Sequence, residues 1–188
     1  PAELGGDAKT SARLTINSAK STRGPAVKVL RRRPTLVELR FAKPLAAGRW
    51  VVVEVAYSGR LRRLPAGSND VFGQALSSLG MSSAGAGTSD YGLLAMGDGI
   101  VTMASAYPMV APHRGGHFDT AKPSAFGDLA YNGLANYRLR TALPAGWTLV
   151  SNLVDRPGKR RLPSGKVVVE SKGAALRDLV LSASKDFV

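Results

Sequence analysis

The sequence predicts an all-β protein, and more specifically an antiparallel β-sandwich, a saddle-like double sheet with at most one short helix. Three observations predict this class. Short apolar runs alternate with polar residues at a period of two, β-branched residues are concentrated in those runs, and turn-forming glycine and proline recur between them (21 and 11 of 188 residues). Many short strands separated by turns are typical of two packed antiparallel sheets.

The first third of the chain contains four predicted strands, at residues 12–18, 26–30, 36–41 and 49–57. The fourth has the strongest pattern, because Val51, Val53 and Val55 share one face and its β-branched content is high. We expect residues 31–34, three arginines and a proline, to end the second strand. We expect Ser58 and Gly59 to end the fourth.

The middle of the chain changes character. Residues 65–90 are small, polar and glycine-rich, which predicts a loop. Within this loop a short helix is predicted between an N-cap at Asp70 and Gly80, because one helical face would carry Val71, Phe72, Ala75, Leu76 and Leu79. The apolar runs 91–96 and 100–104 flank Asp98-Gly99, which predicts a β-hairpin. Residues 107–126 are expected to be irregular.

Residues 136–152 predict two strands joined by a tight turn, which together form a central hairpin. Tyr137 and Leu139 alternate with Arg138 and Arg140, the period of a half-buried strand. The turn falls at residues 143–146, because proline cannot donate to a ladder and glycine tolerates positive φ. A basic turn region at 156–165 and strands at 166–171 and 176–182 complete the fold.

Residues 1–188 are predicted to form a single domain with a frayed start at 1–10. Because the chain begins at Pro1 without a methionine, we expect it to be excised or processed from a larger chain. No apolar run approaches the roughly 18 residues that a membrane-spanning helix needs. The predicted core consists of Val51, Val53, Val55, Tyr137, Leu139, Trp147, Leu149, Leu179 and Leu181.

Cysteine is absent, which excludes disulfides and thiolate metal sites. It does not decide the compartment, for which we favour a secreted or periplasmic location.

The net charge of +13 favours anionic partners or, more simply, a solvated basic surface. Three clusters carry much of it, at residues 31–33, at Arg60 with Arg62 and Arg63, and at residues 159–161. All three fall at predicted turns or strand ends. If they met at one end of a sandwich they would contact phosphates, but aromatic stacking platforms are not interleaved with them, so nucleic acid is disfavoured.

His113 and His117 are four residues apart, the spacing of two zinc ligands on one helical face. Two glycines between them argue against a helix, the glutamate of an HExxH motif is missing, and no third ligand is evident nearby. We therefore predict two loop histidines and no metal site.

Asp119 and Asp128 lie in the same segment and are candidates for acid–base work, although loop aspartates commonly bond their own backbone. No G-x-S-x-G elbow occurs, and residues 85–87 (Gly-Ala-Gly) lack the lysine and serine or threonine of a phosphate loop. We predict no catalytic, metal-binding or cofactor-binding residue in this chain, and assign no substrate-binding residue.

The order of several short motifs resembles a known family. A strand is followed by Pro-Leu-x-x-Gly, a second strand and Tyr-x-Gly at residues 36–59. The later motifs are Ala106-Tyr107-Pro108, Gly127-Asp128, Ala135-Asn136-Tyr137-Arg138-Leu139, Leu143-Pro144-Ala145-Gly146-Trp147, Val150-Ser151-Asn152, and Leu176-Arg177-Asp178-Leu179-Val180-Leu181 with residues 182–187 after it. From Ala12 onward, this succession resembles the N-terminal domain of aminopeptidase-N-like zinc metallopeptidases, the gluzincin aminopeptidases.

The resemblance implies a saddle-shaped β-domain packed on a thermolysin-like catalytic domain. It implies that the zinc, its HExxH helix and the GxMEN substrate loop belong to that next domain, which would begin near Val188. The family's N-terminal lobe often supplies a glutamine or glutamate shortly before its aromatic-Pro motif. Residues 102–106 contain neither, and the acidic Asp-Glu-Pro after that motif is also missing. The resemblance therefore places the chain on a divergent branch.

The resemblance predicts a non-catalytic domain of a larger hydrolase, whose partners are the parent's catalytic domain and its peptide or protein substrate. The alternative is a free-standing basic β-sandwich that binds an anionic polymer or partner. A third hypothesis is an enzyme in its own right that uses Asp119, Asp128, His113 or His117, although spacing alone does not supply the geometry that catalysis requires.

Overall fold

The computed structural model describes residues 13–33, 35–63, 94–97, 99–121 and 133–188. Every regular element in these ranges is a β-strand, so the predicted all-β class is confirmed. The finer prediction of a sandwich stays a prediction. The frayed start at 1–10 and the loop at 65–90 with its short helix lie outside the described residues.

The chain divides into two compact units, Pro1–Leu61 and Arg62–Val188. The prediction of a single domain over residues 1–188 stays a prediction, because a division into compact units does not decide whether either unit folds alone.

The first unit contains two antiparallel pairs of strands. Strand β1 pairs with β4, and β2 pairs with β3. Their bounds are Arg13–Arg23 (β1), Val27–Arg33 (β2), Leu36–Phe41 (β3) and Val52–Arg60 (β4). All four strands were predicted, and the bounds of β3 match. On β4, Val53 and Val55 are half-buried while Val52, Glu54 and Ala56 are exposed, which is the predicted alternation.

Three predicted strand ends in this unit are wrong. Strand β1 was predicted to end at residue 18 but continues to Arg23, because its last residues pair with β4. Strand β2 continues through Arg31–Arg33, because arginine is tolerated on an exposed ladder and Arg32 gains an ion pair with Glu38 on β3. Strand β4 continues through Ser58 and Gly59, because Gly59 is paired with Leu14 of β1. Glycine weakens a strand, but it does not end one that has a partner.

The second unit contains two larger sheets. In the first, the strand order is β10-β14-β12, and β13 also pairs with β14. Its strands are Ala135–Leu143 (β10), Val154–Asp155 (β12), Arg160–Arg161 (β13) and Val167–Leu176 (β14). In the second sheet the order is β11-β15-β7-β6-β5. Its strands are Arg62–Arg63 (β5), Leu94–Gly97 (β6), Ile100–Ala104 (β7), Thr148–Ser151 (β11) and Val180–Ser184 (β15).

The pairing of these strands is antiparallel except between β5 and β6. The predicted hairpin around Gly99 is confirmed, since β6 and β7 pair with Gly97 opposite Ile100. A separate small hairpin joins His113–Arg114 (β8) to His117–Phe118 (β9), inside the segment predicted to be irregular.

The predicted central hairpin at residues 136–152 is wrong in its pairing. Both strands and the turn exist, and the Trp147 N–H donates to the Pro144 carbonyl at 3.3 Å. However, β10 pairs with β14 and β11 pairs with β15, so the turn connects two different sheets. Alternation along one strand shows which side chains face inward, but it does not identify the neighbouring strand.

The predicted bounds of the last two strands are also wrong. Leu176 ends β14 and does not begin β15, which starts at Val180. The short strands β12 and β13 were not predicted, because two residues are too few to show a period.

One apolar core lies in the second unit and draws on both sheets and their connections. Its buried members are Leu143, Leu149, Leu153, Val169, Leu179, Leu181 and Ala183. Of the predicted core, Leu149, Leu179 and Leu181 are confirmed, while Tyr137, Leu139 and Trp147 are half-buried against the cluster. The prediction is wrong for Val51, Val53 and Val55, which lie half-buried in the first unit.

Gly173 of β14 tests the packing of this core. A Cβ at this position would stand 2.6 Å from Leu176 Cδ1 and 2.7 Å from Leu153 Cδ2. Because both leucines are packed in the core, we expect Gly173→Ala to destabilise the chain by about 1–3 kcal/mol in urea denaturation. Gly133→Ala is the matched control: its Cβ would meet open space, so a change within about 0.5 kcal/mol is expected. Equal effects of the two substitutions would contradict this packing.

Candidate functional site

A hydrogen-bonded cluster, here called the polar corner, lies in the second unit where β10, β11 and the connection from β14 to β15 meet. It comprises Tyr107, Asn136, Tyr137, Asn152 and the loop residues Arg177 and Asp178. All six belong to the motifs that carry the family resemblance.

Two tyrosines form one half of the polar corner. The hydroxyls of Tyr107 and Tyr137 lie 2.7 Å apart, and their rings meet edge to face with centroids 5.8 Å apart. The Tyr137 hydroxyl also lies 3.5 Å from the Arg177 carbonyl, which it can reach as a donor. Both rings pack on the apolar core, so each tyrosine has an apolar body against the core and a polar tip at its edge.

Two asparagines form the other half. Asn152 donates through Nδ2 to the Asp178 carbonyl and accepts through Oδ1 from the Val180 N–H, both at 3.0 Å. Asn136 Oδ1 accepts from the Ala175 N–H at 3.1 Å. Ala175 has φ of 54°, a left-handed conformation that is costly for alanine, and the bond from Asn136 helps to hold it. Asn136 therefore fixes the end of β14, and Asn152 fixes the connection from β14 to β15.

The hydrogen bonds of the polar corner have a structural role. Its hydroxyl and amide groups are bonded to one another or to backbone groups, and each bond joins segments that are distant in the chain. The arrangement supports a role in holding the fold. Three of the motifs that carry the resemblance, at residues 143–147, 150–152 and 176–181, coincide with connections between the two sheets.

The prediction of two loop histidines is wrong, because His113 and His117 lie on the paired strands of a β-hairpin. The glycines between them had argued only against a helix. Gly115 and Gly116 occupy the turn with φ of 55° and 84°. His113 lies opposite Phe118 and meets its ring edge to face, whereas His117 lies opposite Arg114. Neighbours along a strand point to opposite faces, so the two imidazoles lie on opposite faces of the hairpin. The geometry does not bring them together as a ligand pair.

Asp119 bonds its own loop: its Oδ1 accepts from the Ala121 N–H at 2.9 Å. This is the backbone-bonding alternative that the sequence had suggested. Asp128 and residues 85–87 lie outside the described residues. Within the described ranges, no group of three or more His, Asp or Glu side chains is placed to hold a metal ion. Likewise, no helix there is long and apolar enough to cross a membrane.

The three basic clusters occupy different elements. Residues 31–33 end β2 and Arg60 ends β4 in the first unit, whereas Arg62 and Arg63 form β5 and residues 159–161 include β13 in the second. Arg31 donates to the Ile16 carbonyl. The prediction that these clusters fall at turns or strand ends is correct for residues 31–33 and Arg60, which end β2 and β4. Arg62 and Arg63, and likewise Arg160 and Arg161, form the short strands β5 and β13, which were not predicted.

Arg32 and Arg40 hold Glu38 between them on the β2–β3 hairpin. Arg32 Nε donates to Glu38 Oε2 at 2.7 Å, and Arg40 Nε donates to Oε1 at 2.9 Å. The hydrogen bond from Arg32 is the main reason why the pKa of Glu38 lies below its ordinary value. Partial desolvation raises this pKa by less, and the bond from Arg40 lowers it further.

No protein-family model, curated protein or solved structure matches this chain. The resemblance to the gluzincin aminopeptidases rests on its motifs alone and stays a prediction.

The polar corner predicts a specific loss of stability. Asn152→Ala removes one donor and one acceptor, and leaves the Asp178 carbonyl and the Val180 N–H without those partners. We expect a loss of about 2 kcal/mol in urea denaturation. Asn17→Ala is the control, since Asn17 is exposed and accepts a hydrogen bond from the Ser58 hydroxyl at 3.3 Å; a change within about 0.5 kcal/mol is expected there. If Asn152→Ala is as mild as Asn17→Ala, the polar corner does not hold the fold.

The lowered pKa of Glu38 predicts a pH-dependent stability. The stabilisation is present in full above the ordinary pKa of an unfolded glutamate, and it is lost as pH falls through the lower folded-state pKa. Glu38→Gln should therefore be less stable than the unaltered chain at neutral pH, and the difference should vanish in acid.

The measurement is urea denaturation of both proteins at neutral and acid pH. Glu54→Gln is the control, because Glu54 has a single exposed partner, Lys20, at 3.1 Å; we expect a smaller effect there. A difference between Glu38→Gln and the unaltered chain that is the same at both pH values would contradict the assignment.

Proposed function

We propose that this chain is a non-catalytic N-terminal β-domain of an aminopeptidase-like zinc metallopeptidase, which packs on the catalytic domain and flanks its substrate cleft. The observation that carries the proposal is the polar corner. Motif residues that are 30 and 40 positions apart in the chain, Tyr107 with Tyr137 and Tyr137 with Arg177, lie against one another there. The motif residues thus contribute to one structural feature, as the resemblance would require.

The roles of the motif residues support a scaffold. Pro144 and Gly146 form the turn between the two sheets, and Trp147 packs on the core directly after it. Asn136 holds the end of β14, and Asn152 holds the connection from β14 to β15. Each of these residues stabilises the arrangement of the strands. A domain that supports a separate catalytic domain needs such a stable arrangement.

Exposed apolar side chains in the second unit support docking on another domain. Val110, Leu134 and Phe118 expose 83%, 68% and 55% of their surface. Val110 and Phe118 belong to one segment that includes the β8–β9 hairpin. Burial of such side chains against a partner is worth roughly 1.5–3 kcal/mol each. In this proposal the catalytic domain covers them, and it supplies the zinc and the residues that act on the peptide bond.

The proposal predicts that the 188-residue chain alone has no peptidase activity, with or without added Zn²⁺. The measurement is hydrolysis of a set of aminoacyl fluorogenic substrates and of an unstructured protein. Turnover by the purified chain that a chelator abolishes and Zn²⁺ restores would contradict the proposal, because it would place the catalytic groups in this chain.

A second measurement tests directly whether these side chains dock on the following domain. Hydroxyl-radical labelling of Phe118 and Leu134 should fall when the chain is produced together with the domain that follows it. Labelling of exposed Trp50, whose ring is covered on one face by Arg23 at 3.6 Å, provides the comparison in the first unit. Unchanged labelling of Phe118 and Leu134 would contradict docking through these side chains.

A further inference from the structure

We propose that the outer face of the β10–β14 sheet is a docking surface for an acidic segment of another protein chain. Five basic side chains form this surface, here called the basic face: Arg138, Arg140, Arg156, Arg160 and Lys172. The inference stands apart from the proposed function, because none of these five residues belongs to the polar corner's hydrogen bonds or to the apolar core.

The register of the sheet places these side chains together. Arg138 lies opposite Lys172, and Arg140 lies opposite Glu170. Residues directly opposite in an antiparallel pair point to the same side of a sheet, and inward Leu139 and Ser171 lie between them in the chain. Arg138, Arg140 and Lys172 therefore face away from the core, and all three are exposed.

Two further arginines come from the other edge of β14. Arg160 of β13 lies opposite Val168, so it shares the outer side with Glu170 and Lys172. The backbone N–H of Arg156 donates to the Glu170 carbonyl at 2.7 Å, which fixes the start of the segment that leads to β13. The sequence placed Arg160 in a basic cluster and Arg156 in the basic turn region at 156–165, but it did not indicate that they share a face with Lys172, because only strand pairing brings them there.

Between these elements lies an open groove of about 390 Å³. Arg140, Arg156 and Arg160 line it together with Pro157, Gly158 and Glu170, and Val168 is also part of its lining. Val168 faces outward by register but is only 4% exposed, so its neighbours cover it and the arginines are the groups that a partner would meet. Guanidinium groups bind carboxylates through two parallel hydrogen bonds, so this groove suits the carboxylate of an aspartate or glutamate.

Among the residues that the structure describes, this face carries one carboxylate, Glu170, and it leaves most of the positive charge uncompensated. Glu170 Oε1 lies 3.9 Å from Arg140 Nε, a loose and exposed ion pair. In the ranges that the structure describes, no ion pair involves Arg138, Arg156, Arg160 or Lys172. The basic face is thus complementary in charge to an acidic partner.

Three features favour a polypeptide over a nucleic acid or a sulfated glycan. None of the outward positions on these strands is aromatic, so base stacking is not available. Val154, opposite Lys172 on β12, is 70% exposed and offers apolar contact beside a cation. A polymer with a negative charge on every unit would also place one of its charges against the carboxylate of Glu170, which repels it. A peptide can present an uncharged side chain at that position.

The spacing also suits an extended peptide. Arg138 and Arg140 are two residues apart on one strand, about 7 Å, and an extended peptide places alternate side chains at the same interval. Glutamate at every second position would set successive carboxylates against Arg138 and Arg140, while the intervening side chains point away from the sheet. The chemistry of the occupant is therefore a short acidic segment with carboxylates at alternate positions.

The test is fluorescence anisotropy of the 188-residue chain with a labelled peptide of alternating glutamate and valine, at low salt and at about 0.15 M salt. We expect saturable binding that weakens with salt. The double substitution R156A/R160A should weaken it roughly tenfold, since each exposed charge contact contributes on the order of a few-fold. Failure of the unaltered chain to bind at low salt would overturn the proposal.

Two matched variants separate the basic face from general attraction to a basic protein. K28A/K43A removes the same charge from exposed positions of the first unit and should change the affinity by less than about twofold. Glu170→Gln should tighten binding by about twofold to fivefold, because it removes the one carboxylate of the face and frees Arg140. Equal losses in the two double variants, or weaker binding by Glu170→Gln, would overturn the assignment.

A labelled thymidine oligonucleotide and a sulfated oligosaccharide of matched charge complete the design. Each should bind more weakly than the peptide, and with a smaller loss in R156A/R160A. If either one binds more tightly than the peptide, and R156A/R160A abolishes that binding, the choice of a polypeptide partner is overturned. Circular dichroism of every variant confirms that the β-structure is retained.

Discussion

The second unit depends on one constraint: the chain must pass from one sheet to the other within the turn at residues 144–147 while burying a leucine on either side of it. Leu143 ends β10 and Leu149 lies in β11, and both are buried in the same cluster. Pro144 cannot extend the ladder, and Gly146 adopts φ of 83°, so the chain turns sharply enough to place both leucines in one core. The two sheets are thereby held by shared apolar contact.

The polar corner complements this apolar contact. Burying a leucine is worth roughly 1.5–3 kcal/mol, whereas a net hydrogen bond contributes about 1 kcal/mol, so the core supplies most of the stability. Apolar contact is not directional, however. The bonds from Asn136 and Asn152 determine where β14 ends and β15 begins, and they hold Ala175 in its left-handed conformation. The polar corner thus specifies the connection that the core stabilises.

Much of the fold could be predicted because strand periodicity is local. Leu36–Phe41 and Ile100–Ala104 were predicted with their observed bounds, and the inward positions of Tyr137 and Leu139 follow from alternation alone. Pairing is not local: nothing in residues 136–152 indicates that β10 and β11 have different partners. The basic face was missed for the same reason, since Lys172 and Arg156 reach it only through their registers with β10, β12 and β14.

The proposed role as a supporting domain places the reactive groups on polypeptide that follows this chain, and gives the motifs at residues 143–147, 150–152 and 176–181 the task of connecting two sheets. The most direct measurement is the coding sequence downstream of Val188. The account predicts an open reading frame that continues into a helix with an HExxH motif and a more distant glutamate. A stop codon directly after Val188, in the intact gene, would contradict it.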